Sequence, residues 1–179
     1  MRLSTLAYYA DFFTSAALVV LFVVLIALDT WEHHAEWVLV VVLGGAAWTL
    51  IEYLIHRWIY HHVPYFQELH DAHHAEPNAY IGAPPLLGIA IICVVSFAPL
   101  VSISFVVASG LTTGVLVGYC TYMLVHHADH YWRPATTTWL YRARHHHAQH
   151  HYHSGHSNFG ITTSFWDRVF GTVVKSGRA

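Results

Sequence analysis

Four long apolar stretches constrain what this chain can fold into. They cover roughly residues 6–28, 37–60, 84–98 and 101–125. Apolar residues make up 55% of the sequence and charged residues only 10%, against about 25% charged in a typical soluble domain. A membrane-spanning helix needs roughly 20 predominantly apolar residues. We therefore predict an all-α integral membrane protein with about four transmembrane helices, forming a single domain over residues 1–179.

Three of these stretches allow a second interpretation. The first could be a cleaved signal peptide, but it is long and no A-x-A-like cleavage site follows it. The third and fourth are joined near Pro99, and proline favours a tight turn there because it removes a backbone hydrogen bond from a helix. The alternative is a re-entrant hairpin that does not cross the bilayer fully.

The positive charges predict the orientation. With four spans, all eight Lys and Arg residues lie on the side shared by both termini. The two opposite loops, at residues 29–36 and near Pro99, carry none. Because cytoplasmic loops are enriched in Lys and Arg, we predict that both termini and a cap formed by residues 61–80 and 126–179 are cytoplasmic.

The chain also contains eighteen histidines, and ten of them form four closely spaced groups. The groups have the patterns H-x4-H, H-x-x-H-H, H-x3-H and H-x-x-H-H, and all fall on the predicted cytoplasmic side. Their members are His56 and His61; His70, His73 and His74; His126 and His130; and His147, His150 and His151.

The spacing of these histidines predicts how their side chains point. Positions i, i+3 and i+4 share one face of an α-helix, so three of the groups present imidazoles in one direction. His56 and His61 do not, because five positions rotate by about 500° and leave the side chains about 140° apart. We therefore expect a distorted helix between them.

The number of histidines indicates two metal ions. Neutral imidazole is the commonest metal ligand in proteins, and ten imidazoles are too many for one ion that takes four or five ligands. Two ions sharing them is the natural count. The ligand type suits iron or zinc and does not choose between them. The alternative is a set of surface histidines that binds metal loosely.

The motifs HRWIYH, HDAHH, HHADH and HAQHH, in this order, resemble the membrane fatty acid hydroxylase superfamily, which includes sterol desaturases. The stretches YCTYMLVH and NFGITTSFWDRVFGT are similar to those of fatty acid 2-hydroxylases. The resemblance covers residues 37–172. It implies a four-helix membrane base, a cytosolic cap, a dinuclear centre held by the ten catalytic histidines, and oxygen-dependent oxidation of a lipid C–H bond.

The sequence departs from the family at two points. The position after the H-x3-H motif is Tyr131, where members often have another histidine. Eukaryotic members often carry a fused cytochrome b5 domain, and we expect none in this chain. The related beta-carotene hydroxylases have similar clusters but tails that match less well, so they rank second.

The predicted function is dioxygen-dependent, di-iron hydroxylation of a fatty-acyl chain drawn from the bilayer. The predicted cofactors are two iron ions, with zinc as the alternative in a purified sample, and dioxygen is the co-substrate. Electrons are expected from a separate ferredoxin or cytochrome b5-like carrier. The alternatives are a sterol desaturase or oxidase, a carotenoid hydroxylase and, more distantly, a metal transporter, although the span centres lack the polar residues that transport requires. A net charge of −2 gives no reason to expect nucleic acid.

Five further residues are predicted to support the metal ligands: Glu52, Asp71, Asp129, Asn158 and Asp167. Glu52 precedes His56 by one helical turn, so its carboxylate could hold an imidazole N–H or instead pair with Arg57 or another helix. The two aspartates within the clusters are expected to orient ligands or to be solvated. The Asn and the last Asp are expected to dock the tail onto the metal cap.

Overall fold

The computed structural model describes residues 1–174, and its regular elements are helical. A 3-10 turn at Trp31–His33 precedes the second α-helix. The α-helices in chain order are α1 (Thr5–Ala27), α2 (His34–Leu54), α3 (Pro64–Ala75), α4 (Leu87–Ile92), α5 (Phe105–Tyr131), α6 (Trp139–Tyr152) and α7 (Phe165–Val169). The predicted all-α fold class is confirmed.

Two of the helices continue as π-helix. Helix α2 runs into π-helical Ile55–Tyr60, and α4 runs into Cys93–Phe97. A π-helix bonds residues five apart rather than four, so residues i and i+5 come to lie above one another. The rings of His56 and His61 accordingly stack, with their centroids 5.4 Å apart. The distortion expected between these two histidines is confirmed, and its form is a π-helical turn.

Within residues 1–174, three helical segments are long and apolar enough to cross a membrane: Thr5–Ala27, Trp31–Tyr60 and Phe105–Tyr131. They correspond to the first, second and fourth predicted spans. The third apolar stretch forms only the short helix Leu87–Phe97, which at 1.5 Å per residue covers about 16 Å of a roughly 30 Å hydrocarbon core. Its length favours the re-entrant alternative, and four complete spans stay a prediction.

The chain divides into two compact units. One consists of Met1–Trp48 and Gly82–Cys120, and the other of Thr49–Ile81 and Thr121–Ala179. Helices α2 and α5 each contribute residues to both units. All ten clustered histidines belong to the second unit, so one compact body contains the whole candidate site.

The first unit is packed through glycines. A Cβ atom on Gly114 of α5 would lie 2.2 Å from the Val41 carbonyl oxygen and 2.8 Å from the Gly45 nitrogen of α2. Small residues allow helix backbones to approach this closely in membrane proteins. Beside this contact, the Trp37 indole donates a hydrogen bond to the buried Ser109 hydroxyl at 3.1 Å. The α2–α5 contact therefore depends on the absence of a side chain at Gly114.

Replacing Gly114 with Ala should destabilise the protein, because the new methyl group overlaps backbone atoms that cannot move independently. Overpacking of this kind costs typically 1–3 kcal/mol, and we expect about that here. The measurement is the thermal unfolding midpoint in detergent. Gly45→Ala is the matched control, since its Cβ would meet no atom closer than 3.6 Å. Equal destabilisation by both substitutions would contradict the close approach at Gly114.

Candidate metal centre

Four helical segments of the second unit supply the clustered histidines. The π-helical end of α2 carries His56 and leads into His61, and α3 carries the HDAHH group. The C-terminal turns of α5 carry HHADH, and α6 carries HAQHH. Helix α3 begins with Pro64 at its first turn, where proline removes no helical hydrogen bond. Helix α6 is capped by Thr138, whose hydroxyl accepts a hydrogen bond from the Tyr141 nitrogen at 3.2 Å.

The imidazoles converge in two groups. The four-histidine group is His56, His61, His70 and His150, and the five-histidine group is His73, His126, His130, His147 and His151. Within each group, one ligand atom from every residue lies within 4.8 Å of the others. His74 belongs to neither, but its Nε2 atom lies 3.0 Å from that of His70 and its ring stacks on His151 at 4.1 Å. The structure thus brings all ten predicted ligands together.

The spacing of the Nε2 atoms fits metal coordination. A metal about 2.1 Å from two imidazole nitrogens at a right angle keeps those nitrogens about 3.0 Å apart. In the four-histidine group, the His56 Nε2 atom lies 3.1 Å from Nε2 of both His70 and His150. In the five-histidine group, the distances are 3.1 Å for His73–His126, 3.2 Å for His126–His130 and 3.1 Å for His130–His147. These are the separations expected of neighbouring ligands on one ion.

The tautomers of two histidines indicate that the four-histidine group binds a cation. The His56 Nδ1 atom lies 2.5 Å from the Phe159 carbonyl oxygen, and the His150 Nδ1 atom lies 2.7 Å from the Ser157 carbonyl oxygen. A carbonyl can only accept, so each Nδ1 carries the proton and a neutral ring keeps its lone pair on Nε2. The two Nε2 lone pairs then face each other at 3.1 Å. A positive ion between them turns this repulsion into attraction, so the residues fit a bound metal.

Burial keeps the clustered histidines neutral. Desolvation, reinforced by neighbouring imidazoles, lowers the pKa to about 4 for His61, about 3 for His73, about 3 for His150 and about 2 for His151. Burial also lowers the pKa of His70, His74 and His147. Imidazole binds metal only in its neutral form, so these side chains are ready to act as ligands at neutral pH.

The Glu52 carboxylate contacts the tail backbone. This buried side chain accepts hydrogen bonds at Oε1 from the Ile161 nitrogen (3.1 Å), the Thr162 nitrogen (2.7 Å) and the Thr162 hydroxyl (2.8 Å). The sequence predicted an imidazole, Arg57 or another helix as its partner. These hydrogen bonds link Glu52 to the histidines through the tail, whose Phe159 carbonyl accepts a hydrogen bond from His56.

Asp167 is fully buried and accepts four hydrogen bonds. Its Oδ1 atom binds the Phe159 nitrogen (2.8 Å) and the Thr172 hydroxyl (2.7 Å), and its Oδ2 atom binds the Gly160 nitrogen (2.8 Å) and His146 Nε2 (3.0 Å). Burial alone would raise the pKa of Asp167, but the hydrogen bonds from His146, Thr172 and Gly160 outweigh it and the pKa is lowered. The carboxylate therefore stays ionised and fixes the tail.

Asn158 and Gly160 shape the same part of the tail. Asn158 is fully buried with φ of 56°, and its amide donates to the His146 carbonyl oxygen (3.1 Å) and to Gln149 Oε1 (3.0 Å). A Cβ atom on Gly160 would lie 2.1 Å from the Thr163 carbonyl oxygen, so only glycine fits. Sequence reasoning identified Asn158 but missed Gly160, whose place in the NFGITT motif was the available signal.

The two cluster aspartates differ in environment. Asp71 is exposed on α3, whereas Asp129 is 5% exposed. Asp129 lines a cavity of about 350 Å³ together with His130, His147 and His151. Its carboxylate oxygens make no hydrogen bond within residues 1–174. This cavity therefore borders three members of the five-histidine group.

The sequence also matches a known protein family over the region that contains the histidine groups. The sequence model of the fatty acid hydroxylase family matches residues 41–172, a range that contains all ten clustered histidines and the NFGITTSFWD tail. The chain belongs to the fatty acid hydroxylase family. The resemblance inferred from the histidine motifs is thereby confirmed.

Curated relatives of this family member include fatty acid 2-hydroxylase of Rattus norvegicus, 32% identical over 144 residues that cover 74% of the chain and 39% of the relative. Dihydroceramide fatty acyl 2-hydroxylase of Arabidopsis thaliana is 32% identical over 148 residues, covering 75% of the chain and 60% of the relative. The chain thus spans about two fifths of the length of the rat protein and three fifths of that of the plant protein.

A solved structure of full-length scs7p, in which only the hydroxylase domain is visible, shares the fold. Its TM-score with the chain is 0.79 at 24% identity, and the match covers 94% of the chain and 67% of that structure. Together with three apolar helices of spanning length, the family makes this chain a membrane protein. The histidine groups fit the metal site of a metal-dependent hydroxylase family.

Lowering the pH should destabilise the protein when no metal is bound to it. In the unfolded chain the histidines titrate near 6.5, but in the folded chain His61 titrates at about 4 and His73 at about 3. Between these values the unfolded state binds more protons, so stability falls as the pH drops below about 6.5. The thermal unfolding midpoint in chelator should change little from pH 8 to 7 and decrease from pH 6.5 to 5. A midpoint that is flat or rises on acidification would contradict the neutral, buried imidazoles.

Proposed function

We propose that this chain is a dioxygen-dependent hydroxylase of fatty-acyl chains with a dinuclear metal centre, and that two iron ions are its catalytic metals. The observation that carries the proposal is the pair of histidine groups, in which neighbouring Nε2 atoms lie 3.1–3.2 Å apart. The ten predicted ligands are assigned to the centre, with His74 between the two groups. The relatives named above act on fatty-acyl chains at carbon 2, which favours that position over sterol and carotenoid substrates.

The metal supplies the one capability that side chains lack. Bound iron provides oxidation chemistry strong enough to break an unactivated aliphatic C–H bond, which no protein acid, base or nucleophile can attack. The overall reaction consumes one C–H bond, one dioxygen molecule, two electrons and two protons, and yields one hydroxyl group and one water molecule. The reductant must therefore deliver two electrons for each hydroxyl group formed.

The protein's contribution is to hold neutral ligands in fixed orientations. The Nδ1–H groups of His56 and His150 donate to tail carbonyls, which directs both Nε2 atoms toward the four-histidine group. Burial keeps the imidazoles deprotonated at neutral pH, as the lowered pKa of His150 shows. The apolar helices give a lipid chain a route from the bilayer. We also propose a multi-pass topology with both termini and the metal centre in the cytoplasm, supported by the distribution of Lys and Arg.

The electron donor is proposed to be a separate ferredoxin or cytochrome b5-like protein with an acidic surface. Exposed Arg142 and Arg168 border a cavity of about 520 Å³ whose lining contains no carboxylate side chain. Arg133 and Arg144 border the cavity beside Asp129, whereas Lys175 and Arg178 lie outside the described residues. Charge complementarity of this kind accelerates transient encounters and weakens with salt.

Purified protein given a fatty-acyl lipid and dioxygen should form a 2-hydroxylated product only when a reduced carrier is added, because the reaction consumes two electrons. Mass spectrometry of the lipid measures the product, and raising the salt concentration should lower the rate. His150→Ala should abolish product, since it removes a central ligand. The His33→Ala/His34→Ala double variant is the control, because these histidines lie outside both groups. Sustained turnover without any reductant would refute the hydroxylase assignment.

The purified protein should contain two metal equivalents per chain, because nine imidazoles divide into two separate groups. Elemental analysis of a folded sample measures this directly and identifies the metal. Iron is expected in active protein, with zinc as an inactive substitute. One equivalent or fewer in a folded, homogeneous sample would exclude the dinuclear centre.

A further inference from the structure

Residues 157–162, here called the tail segment, connect two buried carboxylates to two histidines. Four consecutive backbone N–H groups of the segment, from Phe159 to Thr162, donate in pairs to Asp167 and to Glu52. Two carbonyl groups of the segment, at 157 and 159, accept from the Nδ1 atoms of His150 and His56. The carboxylates therefore fix the backbone whose carbonyls orient the histidines.

The tail segment has little freedom to move. Asp167 and Asn158 are fully buried, Glu52 is 3% exposed and Phe159 is 5% exposed. Hydrogen bonds to an ionised carboxylate are shorter and roughly twice as strong as neutral ones. Shifting the segment would break several of them at once, and no side chain larger than that of Gly160 fits at its bend.

Both oriented histidines belong to the four-histidine group. Among residues 1–174, no ring nitrogen of the five-histidine group bonds to a backbone carbonyl, and the hydrogen-bond-length contacts of those rings are with one another. Three of the five also border the cavity beside Asp129. The two groups thus differ in how firmly the protein holds their ligands.

We propose that Glu52 and Asp167 are positioning residues for the four-histidine group, and that this group releases its metal ion more slowly than the five-histidine group. The proposal rests on the metal centre of the proposed function. Its physical basis is that ligands already fixed in tautomer and orientation lose little freedom when they bind. Mutation of such outer partners typically costs 10–100-fold in metal affinity.

Metal release from the loaded protein in detergent to an excess of a coloured chelator tests this inference. The wild type should release two equivalents in two phases. Asp167→Asn and Glu52→Gln should accelerate the slow phase about tenfold or more and leave the fast phase unchanged. Glu68→Gln is the matched control, because Glu68 is exposed on α3 and no hydrogen bond joins it to the tail segment within residues 1–174. His61→Ala should remove the slow phase and His126→Ala the fast phase, which assigns each phase to its group.

Milder variants keep the test decisive if a carboxylate variant fails to fold. Thr162→Val removes one hydroxyl donor to Glu52, and Thr172→Val removes one donor to Asp167. Each should accelerate the slow phase by a smaller factor. Release in a single phase, or equal acceleration of both phases, would overturn the proposal while leaving a two-metal enzyme intact. A folded wild type that holds no metal would instead overturn the proposed function and this inference together.

Discussion

The main physical constraint on the second unit is the close approach of two imidazole nitrogen lone pairs, which repel each other. The Nε2 atoms of His56 and His150 face each other at 3.1 Å. In each neutral ring the single N–H group, at Nδ1, donates a hydrogen bond to a backbone carbonyl. Two acceptors held this way in a buried site repel each other, and the low pKa of His150 opposes relief by protonation. A metal ion is the partner that makes the arrangement favourable. Because such a site rarely preassembles in the unfolded chain, the proposed metal ions would stabilise the folded form of this unit.

Much of this site could be predicted from local sequence. The i, i+3, i+4 spacing placed His147, His150 and His151 on one helix face, and the five-residue spacing of His56 and His61 required a distorted helix. What local spacing cannot give is the division of ligands between ions. His70 and His73 are three residues apart on α3, yet they join different groups, because the division depends on which other helices they face.

The supporting contacts were harder to predict because they are long-range and involve the backbone. Glu52 binds the Thr162 nitrogen 110 residues away, and no pattern of side chains in the sequence predicts that contact.

The third apolar stretch was also not predictable from its sequence pattern. Hydropathy counts apolar residues, whereas the helix there ends at Phe97 and is followed by turns before Phe105. Composition therefore predicted a span where backbone geometry gives a short helix.

Helices α2 and α5 contribute to both units but make different kinds of contact in each. Where α2 and α5 belong to the first unit, they pack through Gly44 and Gly114 with backbones in contact, since lipid provides no hydrophobic drive for helix association. Where they belong to the second unit, they carry Glu52 and His126 among buried polar groups. Buried polar groups are costly unless each finds a partner. The tail, which supplies none of the ten clustered histidines, provides such partners for Glu52 and His56 through its backbone, whereas His126 contacts other histidines. A segment outside the histidine motifs therefore holds the four-histidine group in place.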